Sequence, residues 1–355
     1  MIDKLILVGG FLGSGKTTLL AESAKRLAKQ GKAVGLVTND QAPELVDTRL
    51  LTGVGKGVSE VAGSCFCCNF NGFVDAVQSL DQQGATIIIA EPVGSCTDLS
   101  ATIMNPLKKF QPNWSLAPLT VLVDPMRLAE IFGEVDSIVD PDALYIMELQ
   151  LAEADRILVS KSDCLSAGEK THFQTTLEKK YPGKKIGFIS SMTGEGVDAW
   201  LSEVQSASDA GTTIVPVDYD RYAHGEAVLG WLNATATVAP NTDGKRLLTD
   251  WLTVFHSEIK KTNSEVGHVK ASLKVNGSEW VGNLTALHGS VSVHETEAKS
   301  GEAMMTINAR VQMSPEAVET LVRDLCGSFN ITIDSLCCLM PGRPNPTHRF
   351  SPSPT

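Results

Sequence analysis

A glycine-rich segment near the start of the chain has the composition of a phosphate-binding loop. Residues 10–17 read Gly-Phe-Leu-Gly-Ser-Gly-Lys-Thr and match the pattern G-x-x-x-x-G-K-[ST]. Its glycines allow backbone N–H groups to surround an anion, Lys16 can reach the β- and γ-phosphates, and the Thr17 hydroxyl can bind Mg²⁺. The segment predicts a nucleoside triphosphate site formed by Gly10, Gly13, Ser14, Gly15, Lys16, Thr17 and Thr18.

An acidic residue follows the apolar strand predicted over Thr86–Ala90. Glu91 opens the sequence Glu-Pro-Val-Gly, which ends at Gly94. A carboxylate at a strand end beside a phosphate loop suits a water-mediated Mg²⁺ contact or orientation of the attacking water. We therefore expect Lys16 and Glu91 to be the catalytic residues. Because glycine has no Cβ, the Gly94 N–H can approach the γ-phosphate.

A second nucleotide motif follows the strand predicted over Arg156–Ser160. The Asp163 carboxylate can accept two hydrogen bonds from guanine, and the Lys161 stem can cover the base. A fixed carboxylate at this place discriminates guanine from adenine, because adenine would leave polar groups unpaired. The loop that ends at Gly194 follows another predicted strand and can support the base. The nucleotide is therefore predicted to be GTP.

Three cysteines lie within four residues at Cys65, Cys67 and Cys68. Two thiolates one residue apart can project to the same side of an extended chain and bind one soft ion. Cys68 can join them if the backbone turns, which Asn69 permits. Three ligands with an open fourth position suit reversible transfer of a metal, since structural zinc sites usually have four ligands.

The sequence leaves several alternatives open for this cluster. The fourth ligand is Asp40, Glu44 or water, with Asp40 also a candidate for Mg²⁺. The thiols could instead be small buried residues or form a redox switch. We expect Cys96, which closely follows Gly94, to be a packing residue, although a role in sensing the nucleotide state is an alternative.

Alternating strand and helix patterns occupy the first two hundred residues. The apolar runs are typical of buried parallel strands, and the predicted fold is a doubly wound, mostly parallel P-loop sheet. A smaller α+β domain with two helices on one face of its sheet is expected after it. The predicted units are a GTPase domain over 1–205, a linker over 206–216, an α+β domain over 217–340 and a Pro-rich, extended or poorly ordered tail over 341–355.

Bulk properties narrow the class of protein. The chain has 355 residues, a net charge of −11 and 43% hydrophobic residues, which predicts a globular protein. Its acidity argues against nucleic acid as a partner, and no apolar stretch is long enough to predict a membrane span. We predict a cytoplasmic protein without a signal peptide, whose clustered thiols serve metal or redox chemistry rather than disulfides.

Taken in order, these motifs resemble those of the CobW-like (cobalamin-synthesis-protein-like) P-loop GTPases, relatives of the GTPases that help insert nickel into urease and hydrogenase. The resemblance covers roughly residues 2 to 205. It depends on Gly10–Thr17, Thr38-Asn39-Asp40 with Val46-Asp47, Cys65-Phe66-Cys67-Cys68, Glu91–Gly94, Val123-Asp124, Ala154-Asp155-Arg156, Ser160–Asp163 and Ser191–Gly194. Ser160 departs from the usual Asn, Ser64 separates Gly63 from the first cysteine, and no His-rich stretch is present.

The resemblance implies a metallochaperone: a slow GTP hydrolase that captures Zn²⁺ or Co²⁺ and delivers it to a client metalloprotein. GTP and Mg²⁺ would order the segment from Asn39 through Cys68, and hydrolysis would loosen the metal site. The second domain would recognise the client. The resemblance equally permits a GTP-dependent accessory protein for cobalamin biosynthesis or a corrinoid methyltransferase. A thiol redox sensor is the third reading, and the oligomeric state, a homodimer included, stays open.

Overall fold

The computed structural model describes residues 2–40, 56–240, 242–296 and 303–351. In this part of the chain, the first unit is a sheet of seven strands in the order β3-β2-β4-β1-β5-β6-β7, and every pair of neighbours is parallel. The strands are β1 Lys4–Gly10, β2 Val34–Asp40, β3 Gly57–Ala62, β4 Ile87–Ala90, β5 Thr120–Val123, β6 Arg156–Val159 and β7 Lys185–Phe188.

Helices connect these strands, as expected for parallel strands that need crossover connections. They are α1 Lys16–Lys29, α2 Phe70–Gln82, α3 Asn105–Phe110, α4 Pro125–Ile131, α5 Pro141–Glu153, α6 Ala167–Lys180 and α7 Val197–Ser206. A π-helical turn, Ser100–Met104, precedes α3, and a 3₁₀ turn, Ser162–Cys164, follows β6. The predicted doubly wound parallel sheet is therefore confirmed.

The register of the central strands positions the phosphate loop. Lys4 lies beside Ile87 and Leu7 beside Ala90 in the pair β1–β4, and Gly10 lies beside Leu122 in β1–β5. All residues of β1, β4 and β5 are buried, so apolar side chains on both faces fix this register. The loops that follow these strands consequently leave the sheet at one edge.

The second unit is an antiparallel sheet, which within the described residues has six strands in the order β11-β10-β9-β12-β8-β13. Its strands are β8 Gly230–Thr237, β9 Val266–Val275, β10 Ser278–Leu284, β11 Ser292–Thr296, β12 Met304–Val311 and β13 Thr332–Leu339. Two amphipathic helices, Gly244–Thr262 (α9) and Pro315–Ser328 (α10), contact each other and share one apolar core with the sheet. The expected separate α+β module is present.

The segment between the two sheets is not a simple linker. A helix over Tyr219–Ala227 (α8) packs on α5, and Tyr222 belongs to the core of the first unit. Asp155 accepts hydrogen bonds from the backbone N–H groups of Gly211 (2.6 Å) and Thr212 (3.0 Å), which ties the connection to the first sheet. None of the helices in the described part of the chain is long and apolar enough to cross a bilayer.

Arg127, in α4, joins the two units through a buried ion-pair network. Its guanidinium pairs with Glu130 at 2.7 Å and with Glu265 of the second unit at 2.9 Å. It also donates to the carbonyls of Val266 (2.8 Å) and Thr285 (3.2 Å). Because Arg127 and Glu265 are almost fully buried, removal of either one alone leaves an uncompensated charge inside the protein.

We predict that Arg127→Met lowers the free energy of unfolding by about 3 kcal/mol, since Glu130 and Glu265 then lack their buried partner. Urea denaturation of the full chain measures this loss, and Arg127→Met combined with Glu265→Leu should recover part of it. Arg246→Ala is the control, because that side chain is 80% exposed and should change stability by less than about 0.5 kcal/mol. Equal stability of Arg127→Met and Arg246→Ala would contradict the prediction.

Candidate functional site

The phosphate loop has the backbone shape that anion binding requires. Gly10, Gly13 and Gly15 have φ angles of 130°, 76° and 94°, a left-handed region that favours glycine. A Cβ on Gly10 would lie 2.2 Å from the carbonyl oxygen of Leu122, so no larger residue fits there. The loop ends at the N-terminus of α1, where the helix dipole favours an anion.

Lys16 and Thr17 lie at the start of α1, and both are 9% exposed. The Lys16 ammonium donates to the carbonyls of Gly10 at 2.7 Å and Phe11 at 3.1 Å. It therefore lies across the phosphate loop, where it is predicted to contact the phosphates. The Thr17 hydroxyl donates to both carboxylate oxygens of Glu91, at 3.0 and 3.2 Å. Residues 74 positions apart in sequence thus meet at the same sheet edge.

Gly94 lies directly against the phosphate loop. A Cβ at this position would be 3.0 Å from the backbone nitrogen of Leu12 and 2.7 Å from its Cδ2. The Gln150 side chain of α5 donates to the carbonyls of Gly94 (2.9 Å) and Cys96 (2.8 Å). The segment after β4 is therefore held between α5 and the phosphate loop. A displacement of the phosphate loop would move this segment, and a displacement of the segment would move the loop.

The residues predicted to recognise guanine lie after β6. Lys161 has a positive φ of 52°, and its ammonium pairs with Asp124 and donates to the Thr285 hydroxyl at 3.4 Å. Asp163 is exposed in the short 3₁₀ turn, where its carboxylate can face a ligand. Ser160, which replaces the usual Asn, donates from its hydroxyl to the Val123 carbonyl at 3.2 Å. Thr285 was not anticipated, because it is contributed by the second unit.

The three clustered cysteines form a compact thiol group between β3 and α2. The Cys65 sulfur lies 3.0 Å from that of Cys67 and 2.9 Å from that of Cys68, and the Cys67 and Cys68 sulfurs are 3.8 Å apart. Cys65 and Cys67 are buried and Cys68 is half-buried. The turn that brings Cys68 into the group is closed by the Asn69 N–H, which donates to the Cys65 carbonyl at 2.9 Å.

Asn39, the penultimate residue of β2, fixes the cysteine loop to the sheet. Its amide donates to the carbonyls of Val61 at 2.7 Å and Ser64 at 2.8 Å, and its oxygen accepts from the Phe66 N–H at 2.9 Å. Asn39 is 7% exposed, so these bonds replace water around a buried amide. A single side chain at the end of β2 therefore determines where the thiols lie.

The Pro-rich tail covers the thiol group instead of being poorly ordered over its described residues. The Asn345 N–H donates to the Cys68 sulfur at 3.3 Å, and Thr347 donates to the carbonyls of Cys67 (2.8 Å) and Cys68 (3.0 Å). The His348 ring packs on aromatic rings, and Arg349 pairs with the buried Asp98 at 2.6 Å. The sequence did not predict that the tail contacts the thiol group, because Asn345 follows Cys68 by 277 residues.

Each thiol of the cluster changes the pKa of its neighbours. Hydrogen bonds from the Cys67, Cys68 and Cys96 thiols hold the pKa of Cys65 well below its ordinary value. Interaction with Cys65 raises the pKa of Cys67, and it raises the pKa of Cys68 to about 11. Among these thiols, Cys65 is therefore the one whose ionisation the neighbouring thiols favour.

The other candidate metal ligands are not among the residues of the thiol group described above. The Asp40 side chain, Glu44 and Asp47 lie outside the described residues. Within the described ranges, no group of three clustered ligands includes Cys337 or Cys338, and the second such group is Asp140, Asp142 and His224. That group is half-exposed to exposed, and Arg221 already pairs with Asp142 at 2.7 Å, so a cation there would displace an ion pair.

The residues fit both predicted metal ions. Sulfurs that bind one Zn²⁺ at about 2.3 Å in tetrahedral geometry lie about 3.8 Å apart, so the three observed sulfurs need only a small expansion. A soft donor set of this kind suits Zn²⁺ or Co²⁺ rather than a hard cation. The Thr17 hydroxyl and the Glu91 carboxylate are oxygen donors, as Mg²⁺ prefers.

Comparison with known protein families matches residues 4–188 to the CobW/HypB/UreG nucleotide-binding domain, which is more than half of the chain. The chain belongs to this family. The match contains the phosphate loop, the cysteine motif, Glu91 and the guanine motif, and the resemblance stated from these motifs is therefore confirmed.

Individual relatives are more distant. The zinc chaperone YjiA of Escherichia coli K12 is 26% identical over 174 residues, which are 47% of this chain and 51% of that protein. The chain thus matches about half the length of this curated relative. Among solved structures, Zn(II)-bound YjiA GTPase from Escherichia coli has 15% identity and a TM-score of 0.38, with 92% of this chain and 99% of that chain covered. HypB from Helicobacter pylori in complex with nickel has 19% identity and a TM-score of 0.40, with 57% and 84% covered.

We predict that Gly94→Ala weakens nucleoside triphosphate binding by about tenfold, because the new methyl group pushes on the Leu12 backbone of the phosphate loop. Titration with a fluorescent GTP analogue measures the dissociation constant. Gly168→Ala is the matched control, since a Cβ there would have its nearest neighbour 4.0 Å away. Unchanged affinity in Gly94→Ala would show that the loop tolerates displacement at Leu12.

A buried acid makes stability depend on pH. Glu153, in α5, is fully buried and accepts from Thr97 at 3.0 Å and from the Ser100 N–H at 2.9 Å. Burial raises the pKa of this carboxyl to about 8 from 4.5. Between these values the folded protein keeps a proton that the unfolded chain releases, so this contribution is present below pH 4.5 and is lost as the pH rises through 8.

We therefore predict that Glu153→Gln gains stability relative to the unsubstituted protein as the pH rises. The difference in unfolding free energy should change by on the order of 3 kcal/mol between pH 5 and pH 8, in favour of the glutamine variant. Urea denaturation at four pH values measures the difference. A difference that stays constant across this range would mean that Glu153 titrates normally.

Proposed function

We propose that the chain is a metal-binding GTPase that couples GTP binding and hydrolysis to the capture of Zn²⁺ or Co²⁺ and its delivery to a client protein. The observation that supports this best is the thiol group of Cys65, Cys67 and Cys68, whose sulfurs lie 2.9–3.8 Å apart beside the sheet edge that carries the phosphate loop. The name of the relative YjiA, a zinc chaperone, supports the same class of function.

The preference for GTP depends on Asp163 and Lys161. The exposed Asp163 carboxylate would accept hydrogen bonds from guanine, and the aliphatic stem of Lys161 would cover the base. The Lys161 ammonium is oriented by Asp124, the residue that caps the N-terminus of α4. Adenine would present an acceptor to Asp163 where guanine presents donors, and it is expected to bind more weakly for that reason.

Hydrolysis would be performed by Lys16 and Glu91. Lys16 would exchange its two backbone carbonyl partners for phosphate oxygens, and the loop amides would stabilise the charge that develops there. Thr17 and Glu91 would hold Mg²⁺, which neutralises the phosphates when bound, and Glu91 would orient water. Turnover should be slow, because the guanidinium of Arg127, which lines a small cavity with Leu12 and Ser14, is already occupied by Glu130 and Glu265.

Coupling between nucleotide and metal would use two neighbouring strands of the sheet and the segments that follow them. Asn39, next to the Mg²⁺ candidate Asp40, holds the cysteine loop, and Glu91 follows β4, the strand that pairs with β2. GTP would bring these segments together, and hydrolysis would loosen them and release the metal. Metal and GTP should each tighten the binding of the other, because such coupling is reciprocal.

The second unit would recognise the client. Its residues Glu265, Val266 and Thr285 contact Arg127, and the Thr285 side chain lies against Gly13 of the phosphate loop, so a change there can be transmitted to the antiparallel sheet. A reducing cytoplasm would keep the thiols available for metal.

We predict that the chain loaded with a non-hydrolysable GTP analogue binds one Zn²⁺ or Co²⁺ at the thiol group. The double variant Cys65→Ser, Cys67→Ser should lose at least about a hundredfold in affinity, because two of the soft ligands are removed. Competition with a chromophoric chelator measures the dissociation constant. Cys337→Ser is the control, since that thiol is exposed on β13 of the second unit and lies outside the cluster.

The outcome distinguishes the proposed function from its alternatives. Equal affinity of the double variant and the control would exclude metal capture at these thiols. Oxidant-dependent disulfide formation that changes hydrolysis, without metal binding, would indicate a redox sensor. Stimulation of hydrolysis by a corrinoid protein, without dependence on the cysteines, would indicate a corrinoid accessory protein.

A further inference from the structure

A segment of the Pro-rich tail, residues 343–350, runs across the thiol group, and we call it the strap. The Asn345 N–H donates to the Cys68 sulfur at 3.3 Å, and the Thr347 N–H donates to the Cys67 carbonyl at 2.8 Å. Cys68 is the member of the thiol group that is not buried. The strap therefore lies against the part of the group that is nearest to solvent.

An ion pair outside the thiol group holds the end of the strap. The Arg349 guanidinium pairs with Asp98 at 2.6 Å and donates to the Val215 carbonyl at 3.3 Å. Asp98 is 1% exposed, and it also accepts from the Tyr219 hydroxyl at 2.8 Å. Because a buried carboxylate that loses its cationic partner carries a large free-energy cost, Arg349 is the main anchor of the strap.

Weaker contacts hold the neighbouring residues of the strap. The centroid of the His348 ring lies 5.1 Å from that of Phe70 and 4.8 Å from that of Phe110. The Phe350 N–H donates to the Ala101 carbonyl at 3.0 Å. The strap thus rests on α2, on α3 and on the π-helical turn before α3.

The sequence of the strap suits a segment that leaves the surface and returns to it. Asn345 and Thr347 both remain exposed, although their N–H groups bond to the cysteine loop. Pro344 and Pro346 precede them, and each fixes its own φ and has no N–H to satisfy. A released strap would keep much of its extended shape, which lowers the entropy cost of closing again. Shallow, solvent-exposed contacts of this kind open at a free energy well below that of global unfolding.

The strap covers the thiols without adding a metal ligand. His348 is its one side chain of a type that commonly binds Zn²⁺, but the ring is packed against two aromatic rings. In the described ranges, the ligand atoms that cluster within 4.8 Å of one another at this site belong to Cys65, Cys67 and Cys68 alone. We therefore expect the strap to affect how fast a metal arrives and leaves more than how tightly it binds.

We propose that the strap is a displaceable cover of the thiol group, which must leave Cys67 and Cys68 before a metal ion can be passed to a client protein. The pair between Arg349 and Asp98 holds the cover closed, and separation of this pair opens it. The inference rests on the proposed function, because that function makes the thiol group the place where the metal binds. The cover itself changes only the access to the sulfurs, so it is also testable in the metal-free chain.

Peptide-resolved alkylation of the reduced, metal-free full chain measures access to the three thiols. Arg349→Gln should increase their alkylation rate at least about tenfold, because the rate follows the fraction of time that the cover is open. Thr347→Pro should act in the same direction, since it removes two hydrogen bonds to the cysteine loop without leaving a buried charge unpaired. Arg323→Gln is the matched control, because Arg323 is also a surface arginine, paired with Glu319 at 2.7 Å, but lies on α10 of the second unit.

Two outcomes of this experiment would overturn the cover. One is an alkylation rate of the three thiols that is the same in Arg349→Gln, Thr347→Pro and Arg323→Gln. The other is an equal increase at Cys326, which is 1% exposed and belongs to the core of the second unit. An increase there would mean that global unfolding, rather than release of the strap, exposes the sulfurs.

Stopped-flow exchange of Zn²⁺ with a chromophoric chelator gives an independent readout. Arg349→Gln should raise the association and dissociation rate constants by similar factors of about ten and change the dissociation constant by less than about threefold, because a cover that contacts the empty and the loaded site equally does not alter the equilibrium. A weaker dissociation constant with an unchanged association rate would overturn the proposal, since the strap would then stabilise bound metal. If no stoichiometric Zn²⁺ binds, the proposed function fails, and the alkylation rates alone decide whether the strap is a cover.

Discussion

Parallel pairing of β1 with β4 is the constraint on which the rest of this site depends. With Leu7 beside Ala90, both strands end at the same sheet edge, and the residues that follow them must share that space. Thr17 and Glu91 meet there, and Gly94 packs on Leu12 of the phosphate loop. β2, on the other side of β4, brings Asn39 to the cysteine loop in the same way.

The connections that maintain this arrangement are buried polar groups, and they reduce stability near neutral pH. Glu153 and Glu226 both lie in the interior behind the segment after β4, and burial raises the pKa of each to about 8. A buried acid is expensive unless it is paired, and apolar residues of similar size would cost less. These carboxyl groups accept hydrogen bonds from Thr97 and Ser95, so the segment after β4 is held in place at the expense of stability.

Local sequence was sufficient for the parts of the site that are formed by a strand and the turn after it. The phosphate loop, the Glu91 segment and the guanine motif each follow an apolar run, and the periodicity of these runs predicts a parallel sheet. Helix boundaries were harder to predict. The apolar pattern alone indicates a helix over Glu148–Ala154, whereas α5 begins at Pro141, where a proline in the first turn and the Asp140 cap start it.

What local sequence could not provide are contacts between distant segments. Asn345 and Thr347 contact the thiol group from the tail, Glu226 accepts a hydrogen bond from Ser95, and Thr285 contacts Lys161 from the second unit. These distant residues belong to no sequence motif, and only the folded chain brings them to the site.

The tail has a consequence for how the protein is made. Asn345 contacts the Cys68 sulfur across 277 residues of sequence, so the thiols leave the ribosome long before the segment that covers them. The tail can close over these thiols only after translation has passed Arg349, which pairs with Asp98 in the folded chain.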